Sequence, residues 1–451
     1  MLDVSLDLHR DFLRADQAGQ KLFARLTLRP DAQARQARPP LAIAFLIDTS
    51  GSMRDVVAPR TDAEQDVRAQ NRLDIVIGAL RKTLDAAGLT ADDRLAVIRF
   101  DDDAEVLAPL TTHTRRARLI AASERLSRYA GGTQLGRGLE HALHLLQNET
   151  ASRRIILLSD GQAEDEPRVR DLSQQLAAQH IPVTTIGVGD FNADLLNDLA
   201  DTTQGRLIDV VADIPAPGSG SVNIHDLPNA IIGDVNHAQH EVITNAALSA
   251  RTVKGVSLER VTRVFPVLTD VTMTQQPYTL GNIATTKQSV FILEFSLPAR
   301  PAARIRLAQL GLTYDVPGAN HRGELPPVDL VAEFTHDDTA TARIDQQVMS
   351  DVQQRNVEQL VKQGIALARR GQADDAAKTI ALARAQTQRL GNSAMTQALS
   401  RVLDELETSQ TLSVGTAKTL SMSTKTQTMR VGDEALSQGL TEEELRRRTG
   451  A

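Results

Sequence analysis

The stretch Leu41-Ala42-Ile43-Ala44-Phe45-Leu46-Ile47-Asp48-Thr49-Ser50-Gly51-Ser52 decides how this chain is read. Its first seven residues are apolar without a break. Such a run fits a strand buried on both faces, as in a parallel sheet. The run then stops in small hydroxyl and carboxylate side chains. In a doubly wound sheet, ligands bind beyond the carboxyl ends of the strands. Asp48, Ser50 and Ser52 fall at such an end and alternate around a tight turn, so three oxygens can converge. Gly51 relieves backbone crowding there. Alone, the quintet Asp48–Ser52 also fits an Asx- or ST-type turn.

Working outward, similar runs recur at Leu95 to Phe100, Ile155 to Leu158, Val183 to Val188 and Arg206 to Val211. Stretches with helical spacing separate them: Leu73 to Ala87, Gly136 to Gln147, Pro167 to His180 and Asn192 to Ala200. Strand and helix in alternation predict a doubly wound, mostly parallel α/β domain over 41–214. Two further oxygen donors sit at strand ends or nearby loops. One is Thr133, in Gly131-Gly132-Thr133; the other is Asp160, after Ile155-Ile156-Leu157-Leu158-Ser159. Hydroxyls and carboxylates without His or Cys are hard oxygen ligands. They suit Mg²⁺, or Mn²⁺ and Ca²⁺ less tightly. A site with few direct protein ligands leaves a position open for an outside oxygen.

With these residues in view, residues 41–214 resemble a von Willebrand factor type A domain carrying a metal-ion-dependent adhesion site, of the kind found in bacterial intracellular proteins. The family motif is D-x-S-x-S, then a Thr, then an Asp. The sequence matches it at Asp48, Ser50, Ser52, Thr133 and Asp160. The resemblance covers less than half of the chain. It implies that Ser50, Ser52 and Thr133 are direct or near-direct ligands, and that Asp48 and Asp160 more often act through water. It also implies that an Asp or Glu carboxylate of a partner protein fills the open position. A metal held by neutral hydroxyls keeps residual positive charge and so seeks an acidic group. Some proteins of this plan work beside AAA+ ATPases or Ser/Thr kinases.

Outside that domain the patterns change. Residues 1–40 contain alternating runs at Val4 to Leu8 and Lys21 to Leu28, which read as half-buried strands. Residues 220–340 carry short strand patterns, among them Thr252 to Val264, Ser289 to Phe295 and Arg304 to Leu310. Together they predict an antiparallel β-sandwich into which the α/β domain is inserted, or which follows it. Residues 344–408, rich in Ala, Gln, Leu and Arg, predict a helical hairpin or small bundle. Residues 409–451 read as a Ser/Thr-rich disordered tail with a short terminal helix.

The 451 residues suffice for two to four domains at roughly 100–200 residues each. No cysteine is present, which excludes disulfide frameworks and cysteine-ligated metals. Net charge is −7 and aromatics are 3%, which argues against nucleic acid as a partner and against base-stacking platforms. The N-terminal segment is interrupted by charges where a signal peptide needs an apolar core, and no window approaches the ~20 apolar residues of a membrane span. The expected location is the cytoplasm.

Weaker features are read plainly. Asp101-Asp102-Asp103 reads as a solvated loop, with the alternative that it tunes the potential near the metal or repels wrong partners. Gly187-Val188-Gly189-Asp190 lacks the dinucleotide fingerprint. His141, His144 and His180 show no paired metal spacing. In the tail, Thr426 and Thr428 resemble phosphothreonines read by forkhead-associated domains after action of a Ser/Thr kinase. The expected function is therefore a non-enzymatic adaptor in signalling that docks a partner carboxylate at a bound Mg²⁺. The alternative is a Mg²⁺-dependent hydrolase or phosphatase using Asp48. That chemistry wants a second Asp two positions on, where this chain has Ser50, and a nucleophile needs an adjacent activating group.

Overall fold

A computed structural model describes residues 1–36, 38–57, 70–86, 88–160, 162–189, 191–212, 221–285, 288–413, 415–417, 420–421 and 424. The chain opens with β1 (Leu2–Leu8), β2 (Phe12–Arg14), β3 (Gln20–Pro30) and α1 (Ala32–Gln36). The α/β domain then runs β4 (Leu41–Asp48), α2 (Arg72–Ala86), β5 (Arg94–Phe100), β6 (Ala104–Thr112), α3 (Arg116–Arg125), α4 (Leu135–Leu146), β7 (Ser152–Ser159), α5 (Glu166–Ala178), β8 (Val183–Val188), α6 (Ala193–Thr202), β9 (Arg206–Val211), β10 (Val222–Asn223) and α7 (Leu227–His240). After it come β11 (Ile243–Thr252), β12 (Ser257–Phe265), β13 (Thr269–Asp270), β14 (Tyr278–Ile283), β15 (Ser289–Leu297), β16 (Ala303–Val316), β17 (His321–Glu324) and β18 (Val328–Thr335). Helices α8 (Asp338–Thr341), α9 (Gln346–Arg369), α10 (Ala373–Arg389) and α11 (Ser393–Ser409) follow.

The α/β domain has one seven-stranded sheet in the order β10-β9-β8-β7-β4-β5-β6. Every pairing is parallel except β5 with β6. The unbroken apolar run of β4 is explained by burial on both sides. Leu41, Ile43, Phe45 and Ile47 enter one core with Leu73, Leu119 and Ile231 of α2, α3 and α7. Ala42, Ala44 and Leu46 enter the other with Leu139, Leu172 and Leu195 of α4, α5 and α6. The chain leaves β4 toward β5 on one side and later returns to β7 on the other. A crevice therefore opens beyond Asp48, at the switch point where such sheets bind ligands.

The remaining strands form two facing sheets. One has the order β1-β3-β15-β12-β13; the other runs β14-β11-β16-β18-β2, with β17 on β16. Leu22, Leu26, Phe291 and Phe295 of the first meet Leu248, Leu310, Leu330 and Phe334 of the second in one core. Strands from before residue 41 and after residue 242 thus share both sheets. Thr252 to Val264 is not one strand: Gly255, at φ +83°, turns the chain between β11 and β12.

Helix α9 covers the outer face of the first sheet. Val348 and Val352 pack on Val264, Val290 and Ile292, and buried ion pairs join Arg25 to Asp351 and Arg355 to Glu294. Among the described residues of the tail, 415–417, 420, 421 and 424 are helical. Ala417 and Leu420 are buried against α10 and α11, because they sit three apart, one helical turn, in an otherwise polar strip. Thr426 and Thr428 lie outside the described residues.

Candidate metal centre

Asp48 ends β4 and its side chain is fully buried. The register sets Ile47 opposite Leu158, so Ser159 of β7 stands beside Asp48. The Ser159 hydroxyl donates to Asp48 Oδ2 at 2.6 Å, and the Ser50 N–H donates to Oδ1 at 2.8 Å. This closes the Asx-type turn foreseen from the sequence and fixes its direction. Residues Gly51–Arg54 then form a short 3₁₀ turn. Ser50 Oγ lies 3.1 Å from Ser52 Oγ, and the Ser52 hydroxyl donates to Asp160 Oδ1 at 2.7 Å. Asp48, Ser50, Ser52 and Asp160 therefore form one hydrogen-bonded group across β4 and β7.

Thr133 comes to the same rim on a loop. The Gly51 N–H donates to the Gly131 carbonyl at 3.0 Å. The Glu164 N–H, just past Asp160, donates to the Thr133 carbonyl at 3.0 Å. The Thr133 hydroxyl has no hydrogen bond among the described residues, and its side chain is largely buried.

Burial pushes the Asp48 carboxyl up to about 6, and the nearby negative Asp160 adds to this, against the hydrogen bonds from Ser159 and Ser50. The buried pair needs a positive partner. Arg72, the first residue of α2, supplies one. Its Nη1 lies 2.6 Å from Asp160 Oδ2 and donates to the Ser52 carbonyl at 3.4 Å. The Asp160 side chain has no solvent exposure, and that of Arg72 is 24% exposed. Gly189, at φ +71°, lies against this guanidinium; a Cβ there would stand 3.0 Å from Nη2.

Two residues and one loop that brace this group were not singled out in the sequence as its parts. Arg72 carries no local signal, being an ordinary Arg twenty positions past Ser52. Ser159 had one: it precedes Asp160 at the end of a strand that pairs with β4. The Asp101-Asp102-Asp103 loop is solvated at Asp102 and Asp103 but not at Asp101. Asp101 is buried, accepts the Thr49 hydroxyl at 3.1 Å and pairs with Arg99 at 2.6 Å. Asp102 Oδ1 accepts the Gly132 N–H at 2.9 Å, and the Asp101 carbonyl accepts the Gln134 N–H at 2.8 Å. The loop braces the segment that carries Thr133. The rule that put Asp48 at a strand end applies equally to Asp101, one residue past β5.

The donor set, two carboxylates and three hydroxyls, fits a hard divalent cation. Among the described residues no three His, Asp or Glu side chains gather as a cation site, so a cation here would also need the hydroxyls.

Comparison with known proteins agrees with the fold. A protein from Synechocystis sp. (strain ATCC 27184 / PCC 6803 / Kazusa), described as uncharacterized protein sll0103, is 27% identical over 330 residues, covering 70% of this chain and 72% of that one. The solved structure of a von Willebrand factor type A protein from Catenulispora acidiphila superposes with a TM-score of 0.74 at 19% identity, covering 94% of this chain and 96% of the other. The ArnB paralog VWA2 from Sulfolobus acidocaldarius gives 0.59 at 15% identity, covering 95% and 99%. The family profile of the von Willebrand factor type A domain matches residues 42–216. The match over residues 42–216 and the superpositions together show a von Willebrand factor type A-like fold for this chain.

Proposed function

We propose that this protein is a divalent-cation-dependent protein-binding module, an adaptor that docks an Asp or Glu of a partner at Mg²⁺ held by Asp48, Ser50, Ser52, Thr133 and Asp160. The observation that carries the reading is the hydrogen-bonded convergence of Asp48, Ser50, Ser52 and Asp160 at the switch point of the sheet. A bound divalent ion would supply a Lewis-acidic position for an incoming carboxylate. The chain's own residues do the rest. Ser159 and the Ser50 amide orient Asp48. Ser52 orients Asp160. The braced Gly131–Gln134 loop presents Thr133.

The hydroxyls of Ser159 and Ser52 serve to orient Asp48 and Asp160, and the module is read as non-enzymatic. No helix among the described residues is long and apolar enough to cross a membrane. The cytoplasm, a role in signalling beside an AAA+ ATPase or a Ser/Thr kinase, and a forkhead-associated reader of phosphorylated Thr426 or Thr428 complete the proposal.

Calorimetric titration of Mg²⁺ tests it. Ser50→Ala with Ser52→Ala removes two hydroxyls and abolishes the binding heat, while the circular dichroism spectrum stays that of the parent. Unchanged affinity overturns the site. Partner capture with and without chelator tests docking, and a capture indifferent to chelator counts against it. Metal-dependent turnover of phosphate esters that Asp48→Ala removes would establish a hydrolase instead.

A further inference from the structure

A second site lies at the opposite end of the α/β sheet, between that domain and the sandwich. A cavity of about 500 Å³ opens there, walled by α6, β9 and α7 on one side and by β12, β14 and β15 on the other. Its charges are unevenly matched. Arg154 Nη2 lies 2.6 Å from Glu241 Oε1, which also faces His237 Nε2 at 3.3 Å. Asn282 donates to Glu241 Oε2 at 2.9 Å. Asp234 takes the Arg206 Nε–H at 2.7 Å and Arg154 at 3.4 Å. Glu241 is thus occupied by its own cations and an amide, and Asp234 Oδ1 by two guanidinium groups.

Arg263 is left over. It is 6% exposed and lines the cavity. Its one hydrogen bond is a long one, from Nε to the Val267 carbonyl at 3.4 Å. Among the described residues no carboxylate lies within ion-pair distance of its guanidinium. Burial lowers its basicity, and the charges of Glu241 and Asp201 offset this only from a distance. An isolated charge taken out of water is costly unless it is paired. A planar guanidinium with its terminal N–H groups unpaired matches the two oxygens of a carboxylate or phosphate.

We propose that this cavity binds a small oxyanion-bearing molecule, its phosphate or carboxylate group held by the Arg263 fork, with Arg206, His237 and Asn229 along the wall. The ligand touches the α/β domain and the sandwich at once and so ties them together. The site is independent of the metal reading and lies away from the Asp48 rim.

The experiment uses the full chain in chelator-treated, phosphate-free buffer. Inorganic phosphate and succinate are titrated separately, with calorimetry and thermal unfolding as readouts. At least one of them binds at millimolar concentration or better and raises the unfolding temperature; which one responds identifies the head group. Arg263→Gln weakens that binding by roughly tenfold or more, as loss of a charge-assisted fork predicts. Gly233→Leu does the same while leaving every charge in place, because a side chain on α7 at Gly233 meets only open space. If Arg263→Gln does not fold, Gly233→Leu decides alone. Ser50→Ala with Ser52→Ala leaves anion binding intact. Failure of both anions to bind the parent overturns the proposal, and so does parental affinity in Gly233→Leu.

Discussion

Two buried carboxylates and one guanidinium set the electrostatics of the rim. Asp160 is held by Arg72 at 2.6 Å, in the place where a cation's charge would otherwise be felt. Arg72 is thus a counter-charge for Asp160, and on the proposed metal reading it would compete with the cation. Arg72→Ala should lower the unfolding temperature in chelator and tighten Mg²⁺ binding several-fold, since a positive charge a few Å from the cation is removed. Weaker binding would show instead that Arg72 supports the ion. A second titratable group acts far from the rim. His9 Nδ1 accepts the Phe23 N–H at 3.1 Å, and burial, with Arg10 nearby, holds the imidazole down from 6.5 to about 4. The folded state resists a proton that the unfolded chain accepts. Stability from this group is complete above pH 6.5 and is lost as pH falls toward about 4, by up to roughly 3 kcal/mol. Urea midpoints of the parent and His9→Asn across that window check this. Equal slopes in both proteins would refute it.

The loop bearing Thr133 has no regular structure of its own and depends on the Asp101-Asp102-Asp103 turn. Asp102→Ala removes the acceptor for the Gly132 N–H, on a partly exposed surface. Mg²⁺ affinity should fall by roughly threefold to tenfold, at a stability cost of about 1 kcal/mol or less. A loss of stability without a change in affinity would mean that the loop does not position Thr133. This contact marks where reading the sequence stopped. β4 was legible because burial on both faces leaves an unbroken apolar run, and α4 because its apolar residues keep helical spacing. Asp48, Ser50, Ser52 and Asp160 were legible because strand ends are marked by where apolar runs stop. β6 was not. It is an edge strand with Pro109 in it and few buried positions, so neither alternation nor a continuous run stands out. α7 was hidden for a similar reason: Pro228 and Gly233 break the pattern, and its buried residues include the charged Asp234. The pairing of residues 1–30 with strands beyond 242 follows from contacts distant in sequence, which local pattern suggests but does not fix.

The α/β domain and the sandwich meet at a buried polar junction. Arg154 of β7 is fully enclosed and bridges Asp234 of α7 and Glu241, the residue that leads into β11. Glu241 is held well below the usual carboxylate range by Arg154 and His237 despite its burial. Removing one member of such a network strands the others, which costs roughly 3–5 kcal/mol. Arg154→Met should therefore destabilise the protein by about that amount. It should also change the form of unfolding, because α7 leads directly into the sandwich and Arg154 ties the preceding sheet to that same connection. Calorimetry on the parent should give one cooperative transition, and on Arg154→Met two, with the α/β domain and the sandwich melting apart. Mg²⁺ affinity should stay at the parental value, since the metal rim lies at the other end of the strands. A single transition in the variant would show that apolar contacts alone couple the two units. Impaired Mg²⁺ binding would show that the sheet transmits strain from one end to the other.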